Sequence, residues 1–270
     1  RSGWDADAHW SVFDVGPWGI GHQHQDKLHL STSAFGQDFL VDAGRLYYKR
    51  DVWRDWIQGT TAHNTLIIDG CVQSADVKEA TEPVAEDSYA ITDTFDYARS
   101  SFTAGYDELE GEVTHHRAVM YARGLAWIVV DRVESDRPRH VEALWHFHPS
   151  VDVELDGARS VGRHQAGEMT VHPVGEWAGS VRTVRGKEPP DIQGWYSREY
   201  NEKAPATCAI YSSQQLEMIW VIIPSKDGRS KVDVTAKSEG FVVKVSGTIA
   251  GRVIEAVVPV TDGTAELRQK

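Results

Sequence analysis

Short segments rich in β-branched and aromatic residues follow one another along almost the whole chain. Several alternate apolar and polar side chains with a period of two, as from Leu28 to Ala34, and this pattern is typical of half-buried strands. Turn pairs separate them, among them Asp156-Gly157, Asp227-Gly228 and Asp262-Gly263. A helical pattern is indicated only over residues 49–57. The sequence therefore predicts an all-β fold, an antiparallel multi-stranded β-sandwich with little helix.

The length of 270 residues allows one large β domain or two modest ones. A break is indicated at Gly186-Lys187-Glu188-Pro189-Pro190, followed by a long loop over residues 191–206, and loops of this length tend to be functional or disordered. We predict a main sandwich with a histidine-rich metal site in residues 1–185. Residues 186–270 are expected to supply the loop and the remaining strands of the same sandwich.

Composition excludes some partners. The formal charge is −12 and no run of Lys and Arg is present, so nucleic acid is not expected. An acidic ligand could bind only through a local Arg/His pocket. A stretch of about 18 apolar residues is missing, so no membrane span is expected. The 10 Trp and 9 Tyr suit either sugar stacking or core packing. The two cysteines, Cys71 and Cys208, form no metal or redox motif, and whether they pair stays open.

The segment from Gly16 to His29 is the richest in chemistry. It carries His22, His24 and Asp26 at every second position. If the segment continues into a strand at residue 27, these three side chains share one face, spaced about 6.6 Å apart. One histidine could then hold a metal ion while its neighbour points at a substrate.

Two further residues complete a possible metal site. Asp42 ends the apolar run that begins at Phe39, and His63 stands immediately before the strand pattern at residues 64–69. His24, Asp42 and His63 would supply two imidazoles and one carboxylate, which suits zinc with a water or a fourth group. Read from the residues alone, Asp42 could equally be a turn-forming aspartate.

The order and spacing of these motifs resemble the heparinase II/III domain of polysaccharide lyases. The resemblance is densest over residues 16–70 and continues through later motifs: Gly-His22-x-His24-x-Asp26-Lys-Leu, Phe39-Leu-Val-Asp42-x-Gly44, Trp53-Arg54, Ala62-His63-Asn64-Thr65, His116-Arg117 and Gly194-Trp195-Tyr196-Ser197. It implies a C-terminal β-sandwich that binds sugar together with an N-terminal helical toroid. It also implies structural Zn²⁺ on His24, Asp42 and His63, and a catalytic or substrate-facing His22.

The predicted function is β-elimination of a uronic-acid-containing polysaccharide. Removal of a proton beside the carboxylate and loss of the O4 leaving group require a base, an acid and a group that neutralises the carboxylate. Tyr48, Arg54 and Arg117 are candidate substrate contacts. The expected partners are an acidic polysaccharide and a helical toroid domain of the same protein, which we do not find in this chain. The chain starts without an initiator Met or a signal peptide, so it is expected to be a piece of a longer protein. We expect that protein to be secreted or periplasmic, with a cytoplasmic location as the alternative.

Alternative interpretations stay open. The spacing of Gly16, His22, His24, His29 and Gly36 follows the first cupin motif, although a second cupin motif is not found. A non-catalytic carbohydrate-binding sandwich would also explain the aromatic residues. His146 and His148 share a strand face, where packing against Trp145 is favoured over a second metal site.

Overall fold

The computed structural model describes residues 1–16, 22–74, 84–228 and 231–270. In this part of the chain the helices are α1 (Val52–Gln58) and two 3-10 turns, Thr60–Ala62 and Glu86–Ser88. The rest of the regular structure in these residues is β-structure, and its paired strands are antiparallel. The fold class predicted from the sequence is confirmed.

The strands differ widely in length, from two to ten residues. In chain order they are β1 (Trp10–Phe13), β2 (Leu30–Ala34), β3 (Gln37–Leu40), β4 (Leu66–Ile68), β5 (Tyr89–Ile91), β6 (Phe95–Phe102), β7 (Val113–Ala122), β8 (Ala126–Ser135), β9 (Val141–His146), β10 (Asp152–Asp156), β11 (Arg159–His164), β12 (Gly167–Pro173), β13 (Gly179–Arg185), β14 (Trp195–Tyr196), β15 (Ala204–Pro205), β16 (Thr207–Ser213), β17 (Glu217–Ser225), β18 (Val232–Glu239), β19 (Val242–Ile249), β20 (Arg252–Pro259) and β21 (Glu266–Gln269).

Two sheets form the central sandwich. The first has eight strands in the order β10-β11-β12-β17-β8-β7-β6-β5, and the second has four in the order β13-β16-β9-β4. The core between them is rich in aromatic residues, and Trp127, Trp145 and Trp220 are all fully buried there. Trp145 and Trp220 meet edge to face, with ring centroids 5.7 Å apart. Burial of such large side chains makes this core a main source of stability.

A third layer covers the other face of the eight-stranded sheet. Strand β8 sends Trp127 and Val129 into the sandwich core, whereas Ile128 and Val130 point the opposite way. There they join a second core with residues of the four-stranded sheet β18-β19-β20-β21, such as Ile254. Burial on both faces explains why β8 and β17 read as continuous apolar runs rather than as alternating strands.

Residues 186–270 contribute to more than one layer. Strands β16 and β17 lie inside the two sandwich sheets, while β18–β21 form a sheet of their own. The division into residues 1–185 and 186–270 stays a prediction, since shared sheets do not by themselves define folding units.

A smaller group of elements lies beside the sandwich and builds a cleft. It consists of the three-stranded sheet β1-β2-β3, helix α1 and the short pair β14-β15. Trp195 of β14 packs with Trp56 and Ile57 of the helix and with Leu46 in a small core of its own. The residue preceding α1, Asp51, caps the helix by accepting hydrogen bonds from the Trp53 and Arg54 backbone amides.

Two predictions on cysteines and membranes can be compared with the structure. Cys71 is partly buried, Cys208 is fully buried, and both are free thiols. Among the described residues, none of the helices has the length and apolar character needed to cross a membrane.

Candidate active-site cleft and metal centre

Four side chains from three separate segments converge beside β2 and β4. They are His24, Asp26, Asp42 and His63, and one possible ligand atom of each lies within 4.8 Å of the others. The His24 Nδ1 and His63 Nε2 atoms are 3.3 Å apart, and His63 Nε2 is also 3.3 Å from Asp42 Oδ2. The structure thus brings together the three residues predicted from the sequence and adds Asp26.

The segment that carries His24 is not a strand, which corrects the sequence-based expectation. His22 and Leu28 have φ angles of 57° and 66°, in the left-handed region, and β2 begins only at Leu30. A continuous strand cannot include residues with these φ angles, and the structure has none over residues 22–28, so His22, His24 and Asp26 do not share a strand face. Residues 17–21 of the same motif lie outside the described residues.

His63 is held in one orientation by the chain that precedes it. The residue is fully buried, and its Nδ1 atom lies 2.9 Å from the Gly59 carbonyl oxygen. Because a carbonyl can only accept, Nδ1 donates and Nε2 faces His24 and Asp42. A histidine whose far nitrogen is fixed by a carbonyl is typical of metal ligands.

Charges in the cluster are strongly coupled. Burial disfavours the charged form of His63, but the adjacent Asp42 carboxylate outweighs it and raises the His63 pKa. Burial likewise works against ionised Asp42, yet His63 holds the Asp42 pKa below its ordinary value. Burial, followed by the influence of His63, lowers the pKa of His24 to about 4. Burial also raises the pKa of Asp26 to about 6. The charged forms are therefore favoured only in the His63–Asp42 pair, whereas burial favours the neutral forms of His24 and Asp26.

A cleft of about 590 Å³ opens over this cluster, with His24, Asp26 and Asp42 in its wall. His22 lines the cleft and is exposed, and its ring meets Tyr48 edge to face at a centroid distance of 5.7 Å. Tyr48 is 57% exposed, so both rings can reach a ligand. Arg54 also lines the cleft, and its Nη1 donates to the Arg45 carbonyl oxygen at 2.9 Å.

Sequence reasoning missed two arginines in the same wall. Arg45 and Arg198 both line the cleft and are exposed. Arg45 follows directly after the Asp42-x-Gly44 motif, and Arg198 belongs to the long loop over residues 191–206, for which the sequence left a functional role open. These positions were the available signal, but only the fold shows that the two segments meet.

The substrate-contact prediction for Arg117 is wrong. Arg117 is fully buried in the sandwich, where its guanidinium pairs with Asp131 at 2.6 Å. A side chain without solvent access cannot touch a polysaccharide in the cleft. The prediction rested on the ability of arginine to grip a carboxylate; the carboxylate that Arg117 grips is Asp131, which is close only in the folded sheet.

Three further histidines, His29, His146 and His148, have partners outside the cluster. His29 accepts a hydrogen bond from the Asn64 amide through Nδ1, and its Nε2 contacts Ser31 Oγ at 2.7 Å, so it does not act as the third cupin ligand. His146 contacts Asn64 and Gln193 through its two ring nitrogens. His148 contacts Ser150 at 2.8 Å, outside the four-residue cluster.

Comparison with known families agrees with this geometry. Residues 2–245 match the family described as heparinase II/III-like, C-terminal, so the chain belongs to this family, which is one of polysaccharide lyases. A search of curated proteins gave no match.

Solved structures share the fold at low sequence identity. Heparan sulfate lyase HepC from Pedobacter heparinus superposes with a TM-score of 0.79 at 17% identity, covering 98% of this chain and 41% of that one. A heparinase III gene product has a TM-score of 0.75 at 17% identity, covering 100% and 40%. Another heparinase III structure has a TM-score of 0.72 at 15% identity, covering 99% and 40%. This chain thus spans about two fifths of the length of these relatives.

Proposed function

We propose that this chain is the β-sandwich part of a polysaccharide lyase that cleaves a uronic-acid-containing polysaccharide by β-elimination. The observation that carries the proposal is the cleft, in which the exposed His22 and Tyr48 rings stand 5.7 Å apart beside a partly buried His/Asp cluster. Family membership supports the reaction class, and one of the similar structures, HepC, is a heparan sulfate lyase.

The reaction places three demands on the site. One group must neutralise the uronate carboxylate, one must take the proton at C5, and one must protonate the O4 leaving group as the C4–C5 double bond forms. His22 is proposed to face the uronate, since a histidine can neutralise, accept or donate near neutral pH. Tyr48 lies beside it as a sugar contact.

Three arginines provide positive charge for an acidic polymer. Arg54, predicted from the sequence, keeps part of its guanidinium on the Arg45 carbonyl, so it would contact sugar with its remaining donors. Arg45 and Arg198 are exposed and can each grip a carboxylate or sulfate group through two parallel hydrogen bonds. A local patch of this kind lets a chain with net charge −12 bind an anionic substrate.

We further propose that the cluster binds a zinc ion through His24, Asp42 and His63, with Asp26 as the fourth donor. Two imidazoles and two carboxylates at this spacing are a donor set that zinc accepts. A neutral His24 and an ionised Asp42 are the protonation states in which these groups bind a metal ion, which supports a cation there. When bound, the ion would be structural, fixing the loop that carries His22 rather than polarising the substrate.

The proposed partner is a helical domain of the same protein, which would cover the cleft and supply the other catalytic groups. It is supported by the relatives, which are more than twice as long as this chain. A secreted or periplasmic location fits an enzyme that degrades such polymers.

The full-length gene product, incubated with a panel of uronans, tests the proposal. The 4,5-unsaturated product absorbs in the ultraviolet, so elimination is followed directly. We expect His22→Ala to lower kcat by about 100-fold or more, the usual contribution of a positioned acid or base. His140→Ala is the matched control, since His140 is exposed and lies outside the cleft lining.

The outcomes separate the parts of the proposal. A wild-type protein that releases no unsaturated product from any uronan would overturn the lyase function and leave a carbohydrate-binding sandwich. Wild-type rates in His22→Ala, with an active parent enzyme, would remove only the role of His22.

A further inference from the structure

Arg117 occupies the middle of the sandwich with no exposed surface. Its Nε donates to Asp131 Oδ1 at 2.6 Å and its Nη2 to Asp131 Oδ2 at 3.0 Å, a bidentate pair. Asp131 also contacts His115 Nε2 at 2.7 Å and accepts from Trp220 Nε1 at 2.9 Å. The arginine is therefore fixed on three neighbouring strands of the eight-stranded sheet, β7, β8 and β17.

The third nitrogen of the guanidinium leaves this sheet. Arg117 Nη1 donates to two carbonyl oxygens, those of Leu28 and Asn64, each at 2.6 Å. Leu28 stands two residues after Asp26, and Asn64 is next to His63. A single nitrogen thus joins the two segments that bring His24, Asp26 and His63 together.

Asn64 extends the connection to the remaining ligand. Its side-chain Nδ2 donates to the carbonyl oxygens of Leu30 at 2.9 Å and Val41 at 3.2 Å. Val41 directly precedes Asp42. All the segments that carry the cluster are therefore tied to one buried frame, made by Arg117 and Asn64.

Folding alone does not explain such an arrangement. Moving both ions of a buried pair out of water carries a large desolvation cost, and apolar residues of similar volume often give equal or higher stability. Apolar residues cannot, however, donate to two carbonyls on separate loops. The feature that an apolar replacement would lose is the link to the ligand segments.

We propose that Arg117 is a positioning residue of the metal centre: it fixes the separation of the loop that carries His24 and Asp26 from the segment that carries His63. The proposal rests on the proposed zinc site. Arg117 does not touch substrate or metal, and it acts through the backbone at Leu28 and Asn64.

Arg117→Lys in the full chain tests the proposal. Lysine keeps a positive charge beside Asp131 but lacks the fork that reaches both carbonyls. We expect the dissociation constant for zinc, measured by competition with a chelator, to rise about 10–100-fold, as for other residues that orient ligands. The d–d absorption of bound Co²⁺ should change in intensity and position, which reports the ligand geometry itself.

Arg139→Lys is the matched control. The Arg139 side chain is only 3% exposed, pairs with Asp69 at 3.0 Å and donates to the Glu110 carbonyl at 2.7 Å. The substitution thus removes a carboxylate pair and a bond to a carbonyl, both partly buried, without touching Leu28 or Asn64. We expect this variant to lose stability while its zinc affinity and Co²⁺ spectrum stay at wild-type values.

The results distinguish this inference from the metal site. If wild-type protein takes up zinc and Arg117→Lys binds it equally well, the positioning role is overturned and the metal site stands. If wild-type protein takes up no metal, both fail. Should Arg117→Lys not fold, Arg117→Met combined with Asp131→Asn replaces it, because the pair of changes removes both bonds to the Leu28 and Asn64 carbonyls without leaving a buried charge unpaired. Wild-type zinc affinity and Co²⁺ spectrum in that variant would equally overturn the role.

Discussion

The histidines of this protein differ in behaviour because their surroundings differ. His22 is exposed at the cleft, whereas His63 is fully buried against Asp42. His172 of β12 is half-buried on the face of the eight-stranded sheet that points away from the sandwich core, since its neighbour Val171 points into that core. The His172 Nδ1 atom accepts a hydrogen bond from Arg159 Nε at 3.1 Å. Burial, followed by the nearby Arg159 charge, lowers the pKa of His172 to about 4. A neutral histidine is thus part of the folded state here.

This lowered pKa predicts acid sensitivity. Between pH 6.5 and pH 4 the unfolded chain binds a proton at His172 that the folded chain does not, so the free energy of unfolding falls as the pH falls. We expect His172→Gln to reduce this loss by about 1 kcal/mol or less, since the partly exposed site is screened by solvent. Urea unfolding of the wild-type protein and of His172→Gln at pH 7 and pH 5 measures how much unfolding free energy each loses. An equal loss in both proteins would contradict the prediction.

Individual residues were predictable where the motif itself carried the information. His24, Asp42 and His63 were predicted as a set, and they do converge. Asp26 was seen in the motif but was not included among the ligands. The role of Arg117 was mispredicted, because local sequence does not show that its partner Asp131 lies on the neighbouring strand in the core.

The elements around the cleft depend on one close backbone approach. Gly44 has a φ of +92°, and a Cβ built on it would lie 1.9 Å from the Ser197 carbonyl oxygen. The segment around Ser197 supplies Tyr196 and Arg198 to the cleft wall. The approach is held on the other side by Ser197 Oγ, which accepts from the Leu46 amide at 3.1 Å. Only glycine allows the two segments to pack at this distance.

Gly44→Ala should therefore separate the two segments. The control is Gly105→Ala, because Gly105 has a similar φ of +87° and a Cβ there would meet nothing within 4 Å. Both variants carry the cost of a left-handed alanine, about 1–2 kcal/mol. We expect a larger loss of unfolding free energy in Gly44→Ala, together with weaker oligosaccharide binding. Equal losses in the two variants would show that the contact is easily relaxed.

Strands were easier to predict than their ends. Local sequence pattern predicted most of the strands and a helix over residues 49–57. The observed helix α1 lies close to this range, at Val52–Gln58. The strand expected from residue 27 starts later, because the positive φ at Leu28 is imposed by tertiary contacts rather than by its sequence. The fold fixes Leu28 by bonding its carbonyl to Arg117.

At the scale of the whole molecule, the central sheet is shared by two cores. The sequence predicted a sandwich but not the additional sheet β18–β21, since strands of a third layer alternate apolar and polar residues just as outer sandwich strands do. Ile254 of β20 is fully buried against the back of the eight-stranded sheet, while its neighbour Val253 is 46% exposed. Whether the third layer unfolds with the sandwich decides how many cooperative units the chain has.

Ile254→Ala answers this question. The cavity should cost about 2–5 kcal/mol, whereas Val253→Ala on the exposed face should cost much less. Residues 226–270 contain no Trp, so tryptophan fluorescence reports only the rest of the molecule, while circular dichroism reports all strands. Because the second core covers β8 and β17, we expect both signals of Ile254→Ala to shift together to lower urea concentration. If circular dichroism of Ile254→Ala instead showed a transition at lower urea concentration while the fluorescence transition stayed at the wild-type position, β18–β21 would be an independent unit. The sandwich would then keep its stability after the sheet β18–β21 had unfolded.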